Sequence, residues 1–93
     1  MSPILLAFRS RKIKKLQNFL NHVNNPDLFS DSYREYHADR ISCIGWLIGY
    51  YEGRTGGTPK EWMEDMLHNQ HKDDSSSILF LYNWIYYGKI TGF

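Results

Sequence analysis

Cysteine is all but missing from this chain of 93 residues. Cys43 stands alone, so no disulfide can close within the chain, and a reducing compartment is the expected setting. Proline is sparse, at three residues, which excludes a collagen-like or proline-rich architecture. Long apolar runs are also missing. The two longest, 41–51 and 78–87, hold 11 and 10 residues, whereas crossing a bilayer takes about 20. At the start, a short apolar stretch precedes the first charge, Arg9, the reverse of the order in a secretory signal. A cytoplasmic protein with no membrane partner is therefore expected. Acidic residues are absent from positions 1–25, which carry Arg9, Arg11, Lys12, Lys14 and Lys15.

The overall net charge is only +1, so a histone-like basic protein is excluded. That small total hides a polarised chain: a formal +5 in residues 1–25 is offset by six bases and ten acids in residues 26–93. What the chain does hold in excess is aromatic residues, 16% of the total, far more than a disordered segment carries. Ten of them follow Gly45, leaving the basic segment largely free of them. The length suits a single domain, 1–93, with one modest core.

Helical periodicity dominates the patterning, and a compact all-α bundle of about four short helices is expected. Ile13, Leu16, Leu20 and Val23, with Phe19 at the margin, share one stripe of a basic helix over about 10–24 that Ser10 caps and Asn25-Pro26 stops. Arg11, Lys14, Lys15, Asn18 and His22 fall on its opposite face. The Ser32 and Glu35 pair predicts a capping box opening a second helix, continuous to Glu52 and ended by Gly53. Its stripe is Tyr33, Tyr36, Ile44, Leu47, Ile48 and Tyr51, with His37 and Arg40 near the early part of it. Ser42, Gly45 and Gly49 form a small-residue flank suited to close packing.

Thr58-Pro59-Lys60-Glu61 is the clearest local signal: a capping Thr, Pro at the first helical position and Glu three residues after the cap. The third helix is expected to bury Trp62, Met63, Met66 and Leu67 and to fade near His71, followed by a polar connector over 73–77. The segment 78–87 is open to two readings. Phe80, Tyr82, Trp84 and Tyr86 alternate as in a strand, yet Ser77 before it and Gly88 after it bracket a helix equally well. A lone strand would lack a partner, so a fourth helix is the working expectation.

Few constellations carry chemistry. Glu64, His68 and His71 would share one helical face at metal-ligand spacing, although an exposed polar face explains them as well. Cys43 lies inside an apolar run, where a thiol packs as a small hydrophobe. The glycine-rich 53–57 loop lacks the Walker sequence and reads as a turn. No cofactor is expected, and the chain is not expected to be an enzyme.

Two surfaces remain. Arg9, Arg11, Lys12, Lys14 and Lys15 form a basic face fit for phosphates or for an acidic protein. Tyr50, Tyr51, Trp62, Trp84, Tyr86, Tyr87 and Phe93 are more aromatic surface than four short helices hide comfortably, and they are candidates for an exposed partner-binding patch. Pro26 and Pro59 both follow loops, where a prolyl isomerase would be a useful helper if a rarer isomer were the active one.

In length, single cysteine, aromatic load and lack of a catalytic motif, the chain resembles the small host-modulating proteins of bacteriophages. Among them it is similar to the temperate-phage inhibitors of the RecBCD helicase-nuclease. The resemblance rests on the whole length and brings no residue role with it. It implies a non-enzymatic protein in the host bacterial cytoplasm that occupies a large DNA-handling complex and changes its nuclease activity or its response to recombination signals. Direct nucleic-acid binding through the basic face is the alternative.

Overall fold

The computed structural model describes residues 3–69 and 75–93, and side chains from residue 9 on. Five helices follow one another: α1 Pro3–Val23, α2 Asp31–Tyr36, α3 Ala38–Tyr51, α4 Pro59–Asn69 and α5 Ser75–Tyr87. No strand occurs among the described residues, so the all-α expectation holds and the strand alternative for 78–87 is excluded. Helix α3 is the hub. It packs against α1, α2 and α5, while α4 lies on α5. Leu16, Cys43, Ile44, Leu47, Ile48, Met63, Phe80, Leu81 and Trp84 form the buried core.

Helix α1 begins well before Ser10. Pro3 suits a first helical turn, and the Ile, Leu and Ala that follow are helix-compatible with no breaker between them, so Ser10 is an interior residue and not a cap. Leu16 and Val23 are fully buried, with Phe19 and Leu20 half-buried beside them, which is the expected stripe. At the far end the Asn25 side chain accepts the Asp27 amide at 2.9 Å. Arg34 donates to the Val23 and Phe29 carbonyls at 3.3 and 2.8 Å, satisfying one of the acceptors that a helix C-terminus leaves open.

The expected continuous second helix is two helices. Ser30, not Ser32, is the first cap, its Oγ accepting the Tyr33 amide at 3.1 Å. The chain then turns at His37 (φ −98°, ψ 17°), leaving Tyr36 77% exposed while His37 is buried at 8%. Tyr36 thus drops out of the expected core stripe and His37 replaces it. The reason is tertiary: the imidazole sits within 5.2 Å, centroid to centroid, of Tyr33, Tyr36 and Phe93. Phe93 also meets Phe19 at 4.7 Å and Phe80 at 6.3 Å, tying the 90–93 segment to α1, α3 and α5.

His37 gives stability a defined pH dependence. Its Nδ1 lies 3.1 Å from an Arg40 guanidinium nitrogen. Arginine only donates, so Nδ1 accepts and the neutral ring carries its proton on Nε2. Burial lowers the pKa below the ordinary 6.5, and the Arg40 charge lowers it further. The unfolded state therefore binds the proton more tightly than the folded one. This contribution is fully present above pH 6.5 and is lost as pH falls from 6.5 through the lower folded value. The melting temperature is expected to drop between pH 7.5 and 5.5, and His37→Gln to shrink the drop. An equal drop in the variant, followed by circular dichroism, would remove this role.

Gly53 (φ 78°) ends α3 as expected, and the Arg54 and Thr55 amides turn back to the Gly49 carbonyl at 2.7 and 3.2 Å. On the small-residue flank, Gly45 has nothing near it and is exposed, whereas a Cβ on Gly49 would collide with the Thr55 hydroxyl. The close approach is thus by a loop side chain at one position, not by a helix along the flank. Gly49→Ala is expected to cost about 1–3 kcal/mol in urea unfolding, and adding Thr55→Ala to recover part of it. No recovery in the double variant would mean that the strain lies elsewhere.

Helix α4 starts as its sequence predicts. Thr58 Oγ1 accepts the Glu61 amide at 3.2 Å, Met63 is buried, and Trp62 and Met66 pack partly against the core, although Leu67 is 51% exposed. Helix α5 extends back to Ser75, so the connector expected over 73–77 is partly helix, and Ser77, expected as its cap, is a buried first-turn residue. Gly88 (φ 64°) stops it. Asn83, the polar break in the apolar run, donates to Leu79 O and Thr91 Oγ1, each at 3.1 Å, and so pins the segment after α5.

Candidate functional site

The basic segment does not form a stripe apart from the aromatics. Lys12 and Lys15 lie one turn apart on α1 and bend over the junction of α3 and α5. The Lys12 ammonium stands 5.4 Å from the centroid of Tyr51 and 5.8 Å from that of Trp84, and the Lys15 ammonium 5.7 Å from Trp84. Lys15 Nζ also donates to the Gly88 carbonyl at 2.6 Å, placing a cation on the last turn of α5 where the helix dipole is negative. Each ammonium over a ring face contributes about 0.5–1 kcal/mol when exposed. Beneath them Trp84 Nε1 donates to the Tyr51 hydroxyl at 2.9 Å.

Around this junction runs a trough of three adjoining depressions of about 650, 380 and 290 Å³. The first, beside Asn18, Phe19 and His22, shares Lys15 with the second. The second shares Lys12, Trp84 and Ile85 with the third, which reaches Thr58, Pro59 and Lys60 at the start of α4. Arg11, Lys12, Lys15, Lys60 and Lys89 line the trough, and no Asp or Glu is among the described lining residues. Among the described lining residues the charge is therefore all positive, beside the apolar Phe19, Trp84, Ile85 and Ile90.

Of the expected basic face, Arg11, Lys12 and Lys15 enter the trough, while Arg9 and Lys14 are exposed outside its lining. Sequence reasoning missed Lys60 and Lys89, each isolated among residues of other character.

The expected aromatic patch divides into three. Tyr50, Tyr51, Trp62 and Trp84 do adjoin, joined by Trp46, with successive centroids 5.1–6.4 Å apart. Trp84 is only 2% exposed, however, and belongs to the core. Tyr86 and Tyr87 are exposed and cluster with Tyr82, whose exposure the alternating pattern of 78–87 concealed. Phe93 packs inward. The exposed part of the expected patch is thus Tyr86 and Tyr87, next to the trough residues Ile85 and Gly88.

Glu64 and His68 are both exposed on α4, and His71 lies outside the described residues. No metal-ligating group of three gathers among the described residues. Cys43 is buried in the core. Pro26 is exposed, Pro59 is buried, and every described peptide bond is trans. No described helix is long and apolar enough to cross a membrane. Comparison with protein families, curated proteins and solved structures finds no match to this chain.

Proposed function

We propose that this chain is a non-catalytic binding domain that occupies an acidic surface of a nucleic-acid-processing enzyme and alters its activity by doing so. The observation that carries the reading is the trough: five cations beside aromatic and aliphatic side chains, with no carboxylate among the described lining residues. Complementary potentials of this kind speed association and fix orientation, while the exposed Tyr86 and Tyr87 on the same helix as Trp84 and Ile85 supply a residue type that dominates protein interfaces. The resemblance to phage inhibitors makes the RecBCD helicase-nuclease the first partner to test. A prolyl isomerase would reach the exposed Pro26 and not the buried Pro59.

Direct binding of nucleic acid is supported by a different observation. Arg11, Lys14, Lys15, Gln17, Asn18, Asn21 and His22 are all exposed on α1, and cations with amides are the side chains that contact phosphates and base edges. Trp84, however, is too buried to stack on a base, and the exposed Tyr82, Tyr86 and Tyr87, which could stack, lie outside the trough lining. Affinity capture from nuclease-treated bacterial lysate separates the two. The binding-domain reading predicts one protein complex in fixed stoichiometry, with changed nuclease or helicase activity. Recovery that disappears on nuclease treatment would contradict it.

A further inference from the structure

Helix α5 is uncharged along its whole length: Ser75–Tyr87 holds no Lys, Arg, Asp or Glu. Its inner face, Ser77, Phe80, Leu81 and Trp84, is buried. On the outer face Leu79, Tyr82 and Tyr86 stand at i, i+3 and i+7 and are 60%, 43% and 53% exposed, with Tyr87, 62% exposed, at the end. Residues three and four apart are neighbours on a helix surface, and the rings do meet. Tyr82 lies 4.8 Å from Tyr86 and 6.2 Å from Tyr87, centroid to centroid. A helix that is apolar on both faces belongs inside a larger body, and one face of α5 is in solvent. Charge enters only at the C-terminal end of this strip. Lys89 follows α5 and is exposed, and Arg11, exposed on α1, lines the depression that holds Ile85 and Gly88.

We infer that the outer face of α5 docks an amphipathic helix of the partner protein, laid antiparallel to α5, with large aliphatic residues at alternating three- and four-residue spacing and acids in its first turn. The inference rests on the binding function proposed above and names the form of the partner segment. The spacing of Leu79, Tyr82 and Tyr86 is that of a coiled-coil seam, between whose side chains those of a facing helix interdigitate. The exposed cations Arg11 and Lys89 sit at one end of the seam, so the complementary acids belong at one end of the occupant. Acids are most favourable in the first turn of a helix, where its dipole is positive, and that sets the direction. The strip is too small for a second copy. At ~200 Å² for a whole tyrosine the four residues expose roughly 400 Å², half of the about 800 Å² per partner that a stable dimer takes. A nucleic-acid strand would need cations along the strip to track its phosphates, and α5 has none.

The test uses the full chain and a labelled helical peptide with Leu at the seam spacing and Glu in its first turn, the same peptide with Glu moved to its last turn, and single-stranded oligonucleotides. Binding is followed by fluorescence anisotropy, and self-association of the chain by sedimentation. The first peptide is expected to bind, and the second to bind more weakly. Tyr82→Ala and Tyr86→Ala should each weaken the first peptide about tenfold, the value of an aromatic anchor, and either decides if the other does not fold. Arg11→Gln should weaken it about two- to fivefold, as for an exposed charge pair, and should narrow the gap between the two peptides. Tyr36→Ala, on the exposed ring of α2, should change it less than twofold. Equal losses for Tyr36→Ala and Tyr82→Ala would overturn the docking face, as would self-association or oligonucleotide binding that Tyr82→Ala abolishes. If neither peptide binds while partner capture still requires Arg11 and Lys15, the docking face falls and the binding function stands. If capture is also indifferent to those two residues, both fall.

Discussion

Replacing Lys12 and Lys15 together with Glu is expected to weaken partner binding by about 100-fold or more, since close charge pairs across an interface couple by roughly 1.5 kcal/mol upward. The double reversal puts two carboxylates at the centre of a trough whose remaining cations, Arg11, Lys60 and Lys89, would then pair with them and not with a ligand. The fold should survive. Both ammoniums lie over rings outside the core cluster's interior, and losing three cation–π contacts costs about 1.5–3 kcal/mol, visible as a lowered melting temperature with an unchanged helical spectrum. Lys14→Glu at an exposed position of the same helix reverses one charge without touching the trough lining. A similar loss from Lys14→Glu, scaled per charge, would mean that net charge and not the trough governs binding.

The second large effect concerns Trp84, where the fold and the trough meet. Its indole is 2% exposed, packs in the core and donates to the Tyr51 hydroxyl. Truncation of a buried Trp to Ala costs about 3–5 kcal/mol, a large part of the 5–15 kcal/mol that holds a domain together. Trp84→Ala is therefore expected to lower the unfolding free energy by about 3–5 kcal/mol. Trp84→Phe keeps most of the volume and loses the donor, and should fold with reduced stability. Tyr86→Ala and Tyr87→Ala, at exposed positions of the same helix, should shift stability by less than about 0.5 kcal/mol while weakening the partner complex. Chemical denaturation of the four variants separates the aromatics that build the molecule from those that face outward. A Trp84→Ala variant within about 1 kcal/mol of the unsubstituted protein would contradict the placement of this residue in the core.

These two cases show where the sequence was readable. Element boundaries set by local chemistry were legible: the Thr58 cap with Pro59 and Glu61, the left-handed glycines at 53 and 88, the Asn25-Pro26 stop. The break at His37 was not, because it depends on rings from Tyr33 and Phe93, the latter more than fifty positions away in the chain. The start of α1 was missed for the opposite reason: Ser10 offered a plausible cap, and nothing local said that the apolar residues before it continue the helix. For the site, the basic run from Arg9 to Lys15 was evident, since charge density needs no folding to be seen. That Lys12 and Lys15 turn onto Trp84 depends on the docking of α5 beside α1. Lys60 enters the trough because the start of α4 meets α5 there, and Lys89 because the segment after α5 lies beside α1, and no periodicity in either segment marks them.

The central claim is that the trough, and not another face, meets an acidic protein partner. Site-specific photocrosslinking tests it most directly, with a photoreactive residue placed in turn at Lys60 and at Lys89, in the lining of its two outer depressions, and at Glu35 on α2, outside the lining. The account predicts that the two trough positions crosslink to the same protein partner and that the adducts map to acidic segments of it, with little from Glu35. Adducts to nucleic acid from the trough positions, or equal protein crosslinking from all three, would contradict it.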